Sequence, residues 1–281
     1  MLVNLNEVLC PAKKGGYAVG LFNTVSLELA KGVFEAAENM KSPIIVGTAE
    51  VFLNYSSLNE VADILIPMAK RASVPVVVHY DHGLTFEKCM EALKLGFTSV
   101  MYDCSTDSYE ENIRKVAELV RIAHAFGATV EGELGHVGNA EDDTPSDNPS
   151  EYFTKPGQAA EYIKMTGVDA LAIAVGTAHG AYRFTPKLDF GRIEEIAGLI
   201  PVPLVLHGGS GLSDEDFKHA IAQGISKVNI FTDLNLGAVK GIKEAISEGK
   251  KGIIDLIPYQ ISAVRTAAME KIALFGSAGK G

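Results

Sequence analysis

PVVVHYDHG (residues 75–83) is a short valine-rich run that stops at a histidine, an aspartate, a second histidine and a glycine. An apolar run of this length suits a parallel strand covered on both faces, because such strands lose the in–out alternation of half-exposed ones. Working outward, similar runs recur at YAVGLF (17–22), PIIVGT (43–48), TSVMYD (98–103), ATVEGE (128–133), DALAIAV (169–175), PLVLHG (203–208) and KVNIF (227–231). Helical patterns lie between them at 25–39, 57–71, 85–95, 108–126, 156–166, 190–198, 213–223 and 234–247. Several open on capping residues, such as Ser213 ahead of Asp214, Glu215 and Asp216. Eight strand–helix alternations close a barrel, so the expected fold is a (β/α)8 TIM barrel, with residues 1–281 as one domain. An open doubly wound sheet would carry a glycine-rich loop after its first strand, and FNTVS (22–26) is not one. A last helical segment, 259–274, has no strand of its own. It is expected to pack as an extra C-terminal helix outside the barrel or against a partner chain.

The net charge of -10 argues against nucleic acid as a partner, since that affinity depends on Lys and Arg neutralising phosphates. A small phosphorylated ligand stays open, because backbone N–H groups and a metal make a local positive site on an acidic protein. No apolar run approaches the ~20 residues of a membrane span, and the start, MLVNLNEVLC, lacks the pattern of a signal peptide. A cytoplasmic protein without a membrane partner is expected. Cys10, Cys89 and Cys104 form no CxxC pair, which argues against a disulfide framework or a thiolate zinc site. One long loop, 134–155, is rich in Gly, Asp, Ser and Pro, and a loop of that length is usually functional or disordered.

Strand ends carry the chemistry in this kind of barrel. They give His79, Asp81 and His82 after the third strand, Glu131 and Glu133 at the fifth, and His179 after the sixth. His207 follows from the seventh, and Asn229, Thr232 and Asp233 from the eighth. Neutral imidazoles suit tetrahedral Zn²⁺ with one open position, so His82, His179 and His207 form a natural trio, with Glu133 as an additional or alternate ligand. A single strand-end histidine is more often just a hydrogen-bonded polar residue. Three of them, each followed by Gly, favour the metal. His79 shares a strand face with Asp81 and reads as a core or supporting residue; His124 and His219 read as helix-surface residues. The glycines of HGGSG (207–211) and HGAY (179–182) can expose N–H groups to a phosphate. A Schiff-base lysine is disfavoured, because Lys227 is read as starting its strand while Lys155 and Lys187 fall in loops.

With YAVGLFNTVSLE, HYDHG, VEGELGHVGNAEDD, VGTAHGAYRFTPKLDF, VPLVLHGGSG, KVNIFTDL and FGSAGKG in this order, the chain resembles the class II ketose-bisphosphate aldolases from about residue 16 to its end. The resemblance implies a fructose- or tagatose-bisphosphate aldolase, closer to the tagatose-type branch, that cleaves its sugar reversibly to dihydroxyacetone phosphate and an aldehyde. It implies Zn²⁺ on His82, His179 and His207, with Glu133 able to approach. Asp81 would move the proton at the C4 oxygen, Glu141 the proton at C3, and Asn229 would hold the enediolate. Gly180, Gly208, Gly209, Ser210 and Thr232 would bind phosphate. The family is generally oligomeric, often dimeric, and many members use a monovalent cation (Na⁺ or K⁺) near the phosphate. Phe231 stands where many fructose-type enzymes carry Asp and tagatose-type enzymes a small apolar residue. In the loop, Asn139-Ala140 precede Glu141 where relatives often have a further acidic or amide residue. Arg265 and Arg183 are the candidates for a distal phosphate. Three other readings remain at this point: an aldolase for a phosphorylated deoxy-keto-gluconate, a zinc hydrolase, and a non-catalytic aldolase-like subunit.

Overall fold

The computed structural model describes residues 1–135, 137, 152–178, 186–209 and 211–281. Eight parallel strands form the barrel: β2 (Val19–Asn23), β3 (Ile44–Ala49), β4 (Val76–Gly83), β5 (Ser99–Tyr102), β6 (Thr129–Leu134), β7 (Ala170–Ile173), β8 (Leu204–Leu206) and β9 (Ile225–Ile230). Their order is β4-β3-β2-β9-β8-β7-β6-β5, and pairing of β5 with β4 closes the ring. These are the eight expected strands. A two-residue strand, β1 (Leu2–Val3), adds to the first residues of β4 before β5 joins it.

Outside the ring pack α2 (Leu27–Met40), α3 (Leu58–Arg71), α4 (Phe86–Leu95), α5 (Tyr109–Ala125), α6 (Pro156–Thr166), α7 (Phe190–Leu199), α8 (Asp214–Ala222) and α9 (Thr232–Ser247). Ser213 caps α8 as its sequence suggests, with its hydroxyl accepting from the Asp216 N–H. The C-terminal helix α10 (Ile253–Leu274) starts earlier than expected. Pro258, just before the expected start, lies inside the helix. Against α9 and α2, α10 buries Val264, Ala268 and Ile272.

One element was not anticipated. Asn4 and Glu7 form a capping box that starts α1 (Leu5–Gly15), whose Leu5, Leu9 and Ala12 plug the N-terminal end of the barrel. They pack on Val19, Leu21, Ile45, Val77, Ala172 and Val205 from the strands. This apolar floor leaves the opposite end of the barrel for polar chemistry.

Cysteine reactivity follows from the packing. Cys10 is exposed on α1, whereas Cys89 and Cys104 are buried. Burial pushes the Cys104 thiol up to about 12 and raises that of Cys89 as well, so neither supplies thiolate near neutrality. Native protein is expected to release one equivalent of dye from dithionitrobenzoate at pH 8, and unfolded protein all three. A second rapid equivalent from native protein would contradict this packing.

Candidate active site

Strand periodicity builds the site in layers. On β4, Val77, His79 and Asp81 share the inner face; Glu131 and Glu133 do so on β6, Val205 and His207 at β8, and Lys227 and Asn229 on β9. Above the apolar floor comes an ionic layer. Lys227 Nζ lies 2.7 Å from Glu131 Oε2, and His79 Nε2 lies 3.9 Å from the same oxygen, all three residues fully buried. Lys227 is therefore mid-strand and committed to a carboxylate. Its strand begins at Ile225, two residues before the expected start, because Ile225 pairs with Leu204 of β8, with a register shift before Lys227 pairs with Val205.

The next layer holds the reacting groups. Asp81 accepts from Asn23 Nδ2 at 2.8 Å and from Asn229 Nδ2 at 3.1 Å, and His79 Nε2 lies 3.7 Å away. Burial by itself raises the Asp81 carboxyl, but the charge of His82, the nearby His79 imidazole and the charges of Lys227 and His207 together hold it well below the usual range.

Neighbours on a regular strand point to opposite faces, yet Asp81, His82 and His207 bring possible ligand atoms within 4.8 Å of one another. The backbone resolves this. His82 has φ 43°, a left-handed conformation rare outside glycine, where the β4–β5 register shifts between Tyr80 and Gly83. The bulge turns the His82 ring over the barrel mouth, edge to face with His207 at 4.5 Å between centroids. Strain of this kind persists only where surrounding contacts hold it.

Each of these two histidines has a carboxylate behind it. His82 Nδ1 is 2.8 Å from Asp103 Oδ2, and His207 Nε2 is 2.8 Å from Glu131 Oε1. Such pairing orients a ring and fixes its tautomer, as carboxylates behind metal-binding histidines do. Burial works against charge on His82, but Asp81, Asp103 and Glu133 push it up to about 9. Burial and the nearby charge of His82 lower His207. Glu133 rises to about 8, first through burial and then through the charge of Asp103. Its buried Oε2 has no hydrogen-bond partner and lies 3.4 Å from His207 Nδ1. His82, Asp103 and Glu133 also bring ligand atoms within 4.8 Å. Three carboxylates around two imidazoles, Glu133 held protonated by burial and by the charge of Asp103, fit a divalent cation. Its binding would replace the protons that the ligands otherwise hold.

A cavity of about 510 Å³ opens over this cluster, and Asp81, His82, Gly208, Gly209, Asn229 and Thr232 all line it. Such a volume suits a small metabolite. A larger hollow, about 800 Å³, lies between α9 and α10 and has no histidine in its lining. Of the sequence candidates, Glu133 and His207 do not line the first cavity themselves but lie against His82, which does. His179, Gly180, Ser210 and Glu141 lie outside the described residues, as does Arg183. Arg265 sits on α10, where its guanidinium pairs with Glu35 of α2 at 3.1 Å, and does not line the cavity. His124 and His219 are exposed helix residues, as read.

Three participants escaped the sequence reading. Asn23 ends an apolar strand, Asp103 looks like an ordinary strand terminus, and Lys227 reads as a strand start. Period two on β9, which places Lys227 on the face of Asn229, was the available signal.

The class II fructose-bisphosphate aldolase model matches residues 3–280. The chain belongs to this family. This aldolase is 39% identical over 287 residues to the fructose-bisphosphate aldolase of Geobacillus stearothermophilus, covering 99% of this chain and 98% of that protein. It is 41% identical over 264 residues to the uncharacterized protein YdjI of Escherichia coli K12, covering 94% of each. The crystal structure of the YdjI aldolase matches with a TM-score of 0.90 and 38% identity, over 100% of this chain and 99% of that one. The aldolase is thus a lyase of carbohydrate metabolism, from a metal-dependent family that acts on phosphorylated sugars. Among its described residues no helix is long and apolar enough to cross a membrane.

Proposed function

We propose that this aldolase cleaves a ketose 1,6-bisphosphate of the fructose or tagatose type, reversibly, to dihydroxyacetone phosphate and glyceraldehyde 3-phosphate through an enediolate. The observation that carries this reading is the convergence of Asp81, His82 and His207, the first two of which line a cavity together with Asn229, Gly208 and Gly209. His82, His179 and His207 would hold Zn²⁺, with Glu133 as a fourth or alternate ligand. A bound Zn²⁺ supplies a Lewis acid toward the ketone carbonyl.

The chain's own groups handle the protons. Asp81, held ionised by its neighbours, takes the proton of the C4 hydroxyl during cleavage and returns it during condensation. Its carboxylate is aimed by Asn23 and Asn229. Asn229 also has a buried Oδ1 with no hydrogen-bond partner, available to the hydroxyls of the enediolate. Gly208, Gly209 and Thr232, the last in the first turn of α9, offer N–H groups to the phosphate, joined by Gly180 and Ser210. Glu141 exchanges the C3 proton from the long loop. A monovalent cation beside the phosphate and a dimer-based assembly complete the proposal.

Cleavage can be read by coupling dihydroxyacetone phosphate release to NADH oxidation, using fructose and tagatose 1,6-bisphosphates. Release from at least one is expected, and none from fructose 6-phosphate, which has no phosphate at C1. Metal-loaded protein that cleaves neither bisphosphate would reject the reading. Glu141→Ala is expected to keep its metal and lose C3 proton exchange. Metal loss equal to that of a His207 variant would contradict the separate roles.

A further inference from the structure

His82 adopts its left-handed φ of 43° between the pair Tyr80–Val100 and the shifted pair Gly83–Tyr102 of the β4–β5 ladder. A residue with a Cβ leaves that region unless contacts on both sides of it prevent the change. On one side stands Asp103, just after β5. Its carboxylate pairs with the His82 ring, and its N–H donates to the Gly83 carbonyl at 2.8 Å.

On the other side the holding group is a single carboxylate. Glu50 directly follows β3 and opens a short 3₁₀ turn, Glu50–Phe52. Its Oε2 accepts from the Tyr80 hydroxyl at 2.9 Å, the Leu84 N–H at 2.7 Å and the Thr85 N–H at 3.2 Å. Its Oε1 accepts from the Thr85 hydroxyl at 3.1 Å. Glu50 therefore grips the chain before Asp81 and again after Gly83. The gripped segment has no room to slide. Tyr80 is fully buried, and a Cβ on Gly83 would stand 2.7 Å from the Met101 carbonyl oxygen and 2.8 Å from the Tyr80 ring.

Anchoring α4 alone would need fewer bonds. Thr85 is the N-cap of α4, yet its hydroxyl turns to Glu50 and makes no cap bond within the helix. A carboxylate near this helix end is favourable in its own right. The Tyr80 bond does nothing for α4, because it reaches back along β4 to the residue two before His82.

We propose that Glu50 is a positioning residue for the metal centre: by holding Tyr80, Leu84 and Thr85 together, it keeps His82 in the conformation that turns its ring toward His207. The inference rests on the reading of His82 as a metal ligand. Without Glu50 the segment relaxes toward regular strand, whose alternation carries the His82 ring off the face of Asp81. Metal then binds only the fraction of molecules that regain the left-handed form, and affinity falls by that fraction.

The test is the equilibrium affinity of the full chain for Zn²⁺, read by competition with a chromophoric chelator. Misfolded molecules lower the number of sites titrated and leave the constant of the remaining sites unchanged. Glu50→Ala is expected to weaken Zn²⁺ binding about tenfold or more, as loss of a group behind metal ligands usually does. Glu50→Gln keeps an oxygen that can accept the three bonds of Oε2, and should stay within about threefold of wild type. Tyr80→Phe keeps the buried ring, removes one donor and should weaken binding about threefold. It carries the test if Glu50→Ala does not fold, and an unchanged constant there would then overturn the inference. A Glu50→Ala constant within about twofold of wild type would overturn it too, whatever the melting temperature, as would an equal loss in Glu50→Gln. His82→Ala separates the two failures. Weakened Zn²⁺ binding there, beside wild-type affinity in Glu50→Ala, rejects the role of Glu50 alone. Wild-type affinity in both rejects the ligand assignment together with it.

Discussion

His207→Ala is expected to strip this aldolase of its metal and to lower turnover on the order of 10³-fold. A Lewis acid contributes several kcal/mol to stabilising developing charge, and each ~1.4 kcal/mol is a factor of ten in rate. His207 is fully buried, its Nε2 is engaged with Glu131 and its Nδ1 faces the cluster that contains Glu133. Removing the ring deletes a proposed ligand and also leaves Glu131 without one of its donors. Metal content per chain after dialysis, measured beside turnover, checks this. His219→Ala, on the exposed face of α8, is the control that should retain both. Stoichiometric metal in His207→Ala would remove His207 from the ligand set.

Lys227→Met is expected to destabilise the fold by about 3–5 kcal/mol, the usual result of removing one partner from a buried ion pair. Glu131 lies in the barrel interior, and burial alone would raise its carboxyl. Lys227, the bond from His207 and the charge of His79 bring it down to about 2. Without the ammonium, a buried carboxylate must either take up a proton or stay charged with too little compensation. Adding Glu131→Gln should recover part of the loss, because an amide keeps an acceptor for His207 without the charge. Denaturant midpoints of wild type, single and double variants give the answer. A single variant within about 1 kcal/mol of wild type would show that the pair is not needed for stability.

The barrel was legible because its strands carry a signal that tertiary contacts do not override. Runs such as VVVHY and IIVG, buried on both faces, leave only one economical arrangement when they alternate with eight helices. α1 was not legible: its stripe of Leu5, Leu9 and Ala12 is interrupted by Pro11 and followed by two lysines, and only the floor of the barrel gives it a partner. At the site, His82, His207, Asp81 and Asn229 could be named because strand ends in this fold share a face. The convergence of His82 with Asp81 could not, since it depends on a left-handed residue that period two forbids. Asp103 and Lys227 were hidden for a related reason. Their roles lie in contacts with residues on other strands, His82 and Glu131, and carry no mark in their own neighbourhoods. Arg265 shows the converse, an arginine on the extra helix whose partner is Glu35.

The most direct test of the central claim is solvent deuterium exchange into C3 of dihydroxyacetone phosphate, followed by NMR with and without a chelator. It needs no aldehyde, so it isolates enediolate formation from the identity of the second product. The account predicts exchange that stops when the metal is removed and returns when Zn²⁺ is restored. Exchange that survives complete chelation, or none from the metal-loaded protein, would contradict it.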